Sequence, residues 1–265
     1  MRTLPLLMHV VRLAIAVAAL ALACSPWLLA QIPLPFPLAL ALPAAASAWL
    51  FFTTFSFFHD CAHGALELPT VVNDIILFCT SAPLLMSAHG QRQLHLRHHA
   101  HPLAPDDMEG EGALAALPIA VLLGPIASFR MRAASVLAVN ARVRPWVIAE
   151  NFLNALVVAL VLWSQSPALI AALAVSALLQ LTMNAWASHV PHRAPQWLLH
   201  FAAKLSWTHS PVVLSLVYHL EHHAHPRVPC MLLKPDLPLA SPLLEHALPW
   251  PQLQLASRPR PRTRV

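Results

Sequence analysis

The sequence predicts an all-α integral membrane protein: four transmembrane helices in two hairpins, with the charged segments gathered on one side. Three observations carry this. Of 265 residues, 58% are hydrophobic and only 10% charged, and the mean hydropathy is +0.61. Soluble domains carry about 25% charged residues, so this chain cannot cover a water-facing surface in the usual way. Four apolar runs reach the length of about 20 residues needed to cross roughly 30 Å of hydrocarbon. All 16 Lys and Arg residues lie outside the two short turns that join those runs in pairs.

The first run, about 10–30, is too long and continuous for a cleaved leader and has no small-residue cleavage site before Pro26, so it reads as a retained helix. The second, 38–58, follows through the turn QIPLPFP; the third and fourth, 146–165 and 167–187, are joined by SQSP. Two shorter runs, 71–88 and 113–128, are broken by Asp74, Pro83, Pro118 and Gly124 and read as interfacial or re-entrant helices. The placement of Lys and Arg makes the N-terminus, the central loop and the C-terminal third cytoplasmic. The formal charge of +5 therefore needs no nucleic-acid partner. Residues 255–265, ending in SRPRPRTRV, read as a disordered basic tail with weak attraction for anionic lipid. The whole chain, 1–265, reads as a single domain. The excess of Arg over Lys with abundant Ala, Leu and Pro points to a GC-rich bacterial gene, hence the bacterial inner membrane. Cys24, Cys61, Cys79 and Cys230 show no CxxC spacing, which argues against a disulfide framework.

On that cytoplasmic side the histidines collect. HDCAH carries His59 and His63; HLRHH carries His95, His98 and His99; HVPH carries His189 and His192; HLEHH carries His219, His222 and His223. Spacing of three or four puts side chains on one helical face, where imidazoles can converge on one ion. Each HxxHH triplet thus offers three donors on one face, and the full supply suits two metal ions better than one. His9, His200, His209 and His246 are isolated and read as interfacial. His101 and His225 trail the triplets, and His89 stands six residues before His95. Imidazole suits zinc, copper, iron and nickel alike, so ligand type leaves the metal open. No HExxH, which a zinc protease would carry, and no ExxH pair occurs. The phrases HLRHHAHP (95–102) and HLEHHAHP (219–226) differ in one letter, Arg97 against Glu221, which places opposite charges at equivalent positions around one centre.

HDCAH, HLRHH and HLEHH, in that order and separated by apolar hairpins, resemble the three histidine boxes of the membrane fatty acid desaturase superfamily, which includes carotenoid ketolases and hydroxylases. The resemblance implies four membrane helices under a cytosolic His-rich di-metal cap. It implies two iron ions held by His59, His63, His95, His98, His99, His219, His222 and His223, and O2 as co-substrate. It also implies one further ligand after the fourth span. The VPHR stretch is similar to an LPHR element of carotenoid ketolases, which favours His192 over His189, with Asn184 third. Pro191 disfavours helix at Val190, so His189 and His192 need not share a face. Asp60, Asp106, Asp107 and Glu221, beside the boxes, suit carboxylates that orient the imidazole rings. Glu150, Asn151 and Asn154 begin the third span, where a carboxylate is a functional candidate.

The expected activity is O2-dependent introduction of a double bond into, or oxygenation of, a fatty acyl lipid. Electrons come from an external ferredoxin- or cytochrome-type donor, since no haem, Rossmann or ferredoxin motif is present. The alternatives are a carotenoid (β-carotene) ketolase or hydroxylase and, further off, a zinc-dependent membrane hydrolase or metal-binding protein.

Overall fold

Every regular element among the described residues of the computed structural model, 3–31, 35–137 and 139–234, is helical. The basic tail and His246 lie outside them. α1 (Thr3–Ala23) stops short of Ser25–Pro26, where proline ends the backbone ladder, so the first span is displaced towards the N-terminus from the expected 10–30. α2 (Ala41–Ala62) continues a stretch from Pro37 that is apolar enough to cross a membrane, and it carries the first histidines on its last turn. α3 (Thr70–Leu84) ends at Leu85 in the left-handed conformation (φ 50°), and the chain turns by 98° into α4 (Ala88–Ala100), whose first turn is capped by the Ser87 hydroxyl accepting from the Gly90 N–H. α5 (Leu117–Leu137) leads to α6 (Arg144–Ser164) and, through Gln165, to α7 (Pro167–Leu181).

α2 is the spine. It packs along α1, α3 and α7, burying Phe51, Phe57 and Phe58, while α6 closes the bundle against α3 and α7. The outer helices are built inside-out relative to a soluble protein. α1 buries His9, Ala16 and Ala23 and exposes Leu7, Val11, Ile15 and Leu22. Small residues let backbones approach where no hydrophobic force drives helices together in lipid, and buried hydroxyls add interhelical bonds. Ser47 Oγ of α2 donates to the Ala172 carbonyl of α7 at 2.7 Å and lies 3.1 Å from Ser176 Oγ.

Two further expectations about the spans change. The run placed at 113–128 forms a 21-residue helix, α5, that is itself long and apolar enough to cross a membrane. Pro118 falls in its first turn, where proline is tolerated, so it starts the helix instead of breaking it. Yet α5 packs mainly against α4 and the turn after α7, lying across the histidine-bearing cap. The fourth run is shorter than 167–187: after Leu181 the chain bends by 48° into a π-helical turn, Asn184–His189, which runs into Val190–Arg193. Among the described residues, four single helices meet the length and apolarity of a span, and the pairs bent at Leu85 and after Leu181 meet them together.

Val190 is helical (φ −61°, ψ −51°) despite the proline that follows it. The wider π-helical winding before it gives the Pro191 ring the room that a regular helix denies it, so the expected break at Val190 does not occur. Two glycines set the cap against this segment. A Cβ on Gly112 would lie 1.9 Å from the Asn184 carbonyl oxygen, and one on Gly124 would lie 2.3 Å from that of Leu181. Gly112→Ala is therefore expected to cost about 1–3 kcal/mol by overpacking, read as a lowered thermal midpoint in detergent.

Candidate metal centre

Helical geometry sorts the histidines into two groups. His59 and His63 from α2, His95 and His99 from α4, and His222 from α10 (His219–Ala224, introduced with α8, Gln196–Ala203, and α9, Pro211–Val217) place their donor atoms within 4.8 Å of one another. Within this group the Nε2 atoms of His63 and His95 are 2.8 Å apart, and those of His99 and His222 are 3.1 Å apart. His98, His192 and His223 form the second group. His219 joins it, with Nε2 at 3.3 Å from that of His192 and 3.2 Å from that of His223. The triplets do not act as single faces. In each, the pair four apart (His95/His99, His219/His223) serves one group, and the middle histidine (His98, His222) serves the other. Adjacent helical residues are set about 100° apart, so the HH dipeptide straddles the two groups.

The tautomers explain what this arrangement suits. His98 Nδ1 lies 2.7 Å from an Asp107 oxygen, His95 Nδ1 lies 2.6 Å from Glu109, and His192 Nδ1 lies 2.8 Å from the Ser188 carbonyl. An acceptor at Nδ1 places the ring proton there and leaves Nε2 with its lone pair facing the group. Burial would raise the Asp107 carboxyl. The hydrogen bond to His98 and the N–H groups of Gly110 and Leu103 outweigh burial and hold it below the ordinary carboxylate range. Burial does raise Glu109, a shift that a cation at His95 Nε2 would oppose. Burial, reinforced by neighbouring rings, keeps His219, His222 and His223 well below the usual imidazole range and pushes His192 down to about 4. His98 goes the other way: burial would lower it, but the hydrogen bond to Asp107 and the nearby Glu109 charge raise it above the ordinary imidazole range. Ring nitrogens aimed at one another in this way form a donor set that a metal ion satisfies and water-free protein does not.

Comparison with known proteins decides the family. The fatty acid desaturase family model matches residues 33–258, most of the chain. The chain belongs to the fatty acid desaturase family. No curated protein and no solved structure matches it. With its apolar helices, membership points to an integral membrane protein, and the family suggests a membrane di-iron oxidoreductase.

In this desaturase-family chain the eight box histidines come together with His192, while His189 is turned aside, its Nδ1 3.2 Å from the Gly112 carbonyl. Asn184 is buried at the start of the π-helical turn. Of the acidic candidates, Asp107 holds a ring and Asp106 does not: Asp106 is exposed and paired with Arg97. The opposed letters of the repeat are likewise inequivalent, because Arg97 points to solvent whereas Glu221 is buried. Asp60 lies 3.9 Å from His59 Nδ1, beyond hydrogen-bond reach. His101, His225, His200 and His209 are exposed.

Three residues at the centre stand outside the histidine pattern of the sequence. Glu109 follows box two within the same loop as Asp107 and holds His95. His9, read as isolated and interfacial, is 1% exposed and bonded to Asp60 at 2.8 Å. Cys230 places its Sγ 3.1 Å from His59 Nδ1. The uncertain His89 belongs elsewhere: its Nδ1 meets Glu150 at 2.6 Å in a buried cluster with Ser87, tying α4 to α6. Glu150 is therefore a buried structural partner of His89.

A cavity of about 200 Å³ reaches the centre. Phe52, Phe55, Ser56 and His59 of α2 line it, together with Val212, Ser215, Leu216 and His219. The first set has the i, i+3, i+4, i+7 spacing of one face of α2; in the second, Val212, Ser215 and Leu216 belong to α9 and His219 opens α10 beyond the break at Tyr218. Each ends in a histidine, one from each group. Trp186, Val190 and Pro191 of the π-helical segment form a further side.

Asp107→Asn, which weakens the acceptor at His98, is expected to lower metal affinity about 10–100-fold. Asp106→Asn should leave it at the parental level. Metal retained during titration with a competing chelator measures both.

Proposed function

We propose that this protein is an O2-dependent di-iron oxidoreductase that introduces a double bond into, or oxygenates, an apolar lipid chain, with a fatty acyl lipid as the leading substrate. The observation that carries the reading is the cavity whose two lining sets each end in a histidine from a different group. Nine imidazoles, His59, His63, His95, His98, His99, His192, His219, His222 and His223, hold the two irons. When bound, such a centre supplies activation of O2 and removal of hydrogen from an unactivated C–H bond. The chain's own residues do the rest. Phe52, Phe55, Val212 and Leu216 grip a hydrocarbon and exclude water, so that one carbon is presented beside the histidines. Asp107, Glu109 and the Ser188 carbonyl keep the ring protons on the outer nitrogens of His98, His95 and His192.

Electrons come from a separate ferredoxin- or cytochrome-type donor, and the boxes face the cytoplasm of a bacterial inner membrane. The distribution of Lys and Arg supports that orientation. A second reading, a carotenoid ketolase or hydroxylase, is favoured by His192 of the VPHR element and by the aromatic side of the cavity at Phe52, Phe55 and Trp186.

Expression in a β-carotene-producing host, with acyl chains and pigments profiled under air and without O2, tests the function. New double bonds or hydroxyls on acyl chains, appearing only under air, are the expected result. New keto or hydroxy carotenoids would transfer the assignment to the second reading, and purified protein carrying zinc without iron would overturn both. Leu216→Trp, which fills much of the cavity, should reduce turnover at least tenfold while iron content stays at the parental value. Unchanged turnover would remove the cavity from the substrate path.

A further inference from the structure

His59 differs from the other anchored histidines of the centre. His95 and His98 lean on carboxylates and His192 on a carbonyl, but the outer nitrogen of His59 faces a thiol, Cys230 Sγ at 3.1 Å. The neighbouring Asp60 cannot take that place. Consecutive residues on α2 point about 100° apart, and the Asp60 oxygen stays 3.9 Å from His59 Nδ1. Asp60 instead accepts the backbone N–H of Cys230 at 2.9 Å, and its other oxygen meets His9 Nε2 of α1 at 2.8 Å. The His9 ring is stacked on Phe57, with centroids 4.8 Å apart and planes 4° from parallel. All four residues are less than 10% exposed.

We infer that His9, Asp60 and Cys230 form a buried positioning chain that fixes the ring of His59, so that its Nε2 faces the first histidine group. This rests on the reading of those histidines as metal ligands. α1 holds Asp60 through His9, Asp60 holds the Cys230 backbone, and the thiol holds the outer nitrogen of His59. Each link acts through the next, and none touches the ion. The role of Asp60 is thus indirect: it orients an imidazole through another residue's main chain.

Metal binding by the full-length protein in detergent tests the chain without using turnover. Iron(II), and cobalt(II) for its ligand-sensitive visible spectrum, are titrated against a chelator. Cys230→Val, which fills the site but cannot hydrogen-bond, should weaken binding at the first group about 10–100-fold and shift the cobalt spectrum. Cys230→Ser, which retains a hydroxyl, should recover most of the affinity. His9→Gln, which keeps a donor for Asp60, should stay near the parental value, whereas His9→Leu should resemble Cys230→Val. Thermal midpoints of the metal-free variants report folding separately. If valine binds metal as the parent does, or if serine is worse than valine, packing and not positioning is the role of Cys230, and the inference is overturned. A parental protein that binds neither metal would refute the metal centre itself, a result distinct from equal affinities among the variants.

Discussion

Nitrogen lone pairs that face one another inside a protein repel, and the rest of this structure is arranged around that constraint. Behind His95, His98 and His192, two carboxylates and a carbonyl hold a ring proton outward, which turns the inner nitrogens towards a shared cation. The loop after α4 supplies two of these anchors within three residues, Asp107 and Glu109. Its own fold depends on the same carboxylate, because Asp107 also accepts the N–H groups of Leu103 and Gly110. Electrostatics and local backbone structure are therefore solved together.

α2 links the membrane and the chemistry. Its middle turns carry the aromatic core of the bundle, its last turns carry His59 and His63, and one stripe of the same helix forms a cavity wall. The cavity-lining stripe Phe52, Phe55, Ser56 and His59 thus runs into the histidines along a single face of this helix. The π-helical turn after α7 does related work, since it keeps the chain helical through Pro191 and delivers His192 to the centre while His189 turns to the Gly112 carbonyl.

Much of this was legible in the sequence. Apolar length and charge placement located the bundle, and the spaced histidines located the centre, because periodicity in a hydrophobic chain reports directly on helical faces. What escaped was long-range. His9 looked isolated because its partner, Asp60, is 51 residues away. Cys230 carried no motif, since a thiol that contacts a ring across the fold needs no local spacing. Asp106 and Asp107 were equal candidates by adjacency, and only the loop conformation decides which one faces inward. The break assigned to Val190 followed a sound rule for regular helix, which a π-helical winding relaxes. Helix α5 runs further than the stretch 113–128 because Pro118 begins the element and does not interrupt it.

The repeated phrase carries a further consequence. Both copies end alike, at His101 (φ −143°, ψ 63°) and His225 (φ −131°, ψ 59°), because the following proline drives the preceding residue out of the helical region. Yet the copies divide their donors oppositely between the two groups, and they do so in an order imposed by synthesis. Four members of the first group, His59, His63, His95 and His99, lie in the first 100 residues to leave the ribosome, when the second group has only His98. The remaining members, His192, His219, His222 and His223, all follow the last helical hairpin in the chain. Neither group is complete without α10, which brings His222 to the first and His219 and His223 to the second, so one short helix closes both halves of the centre.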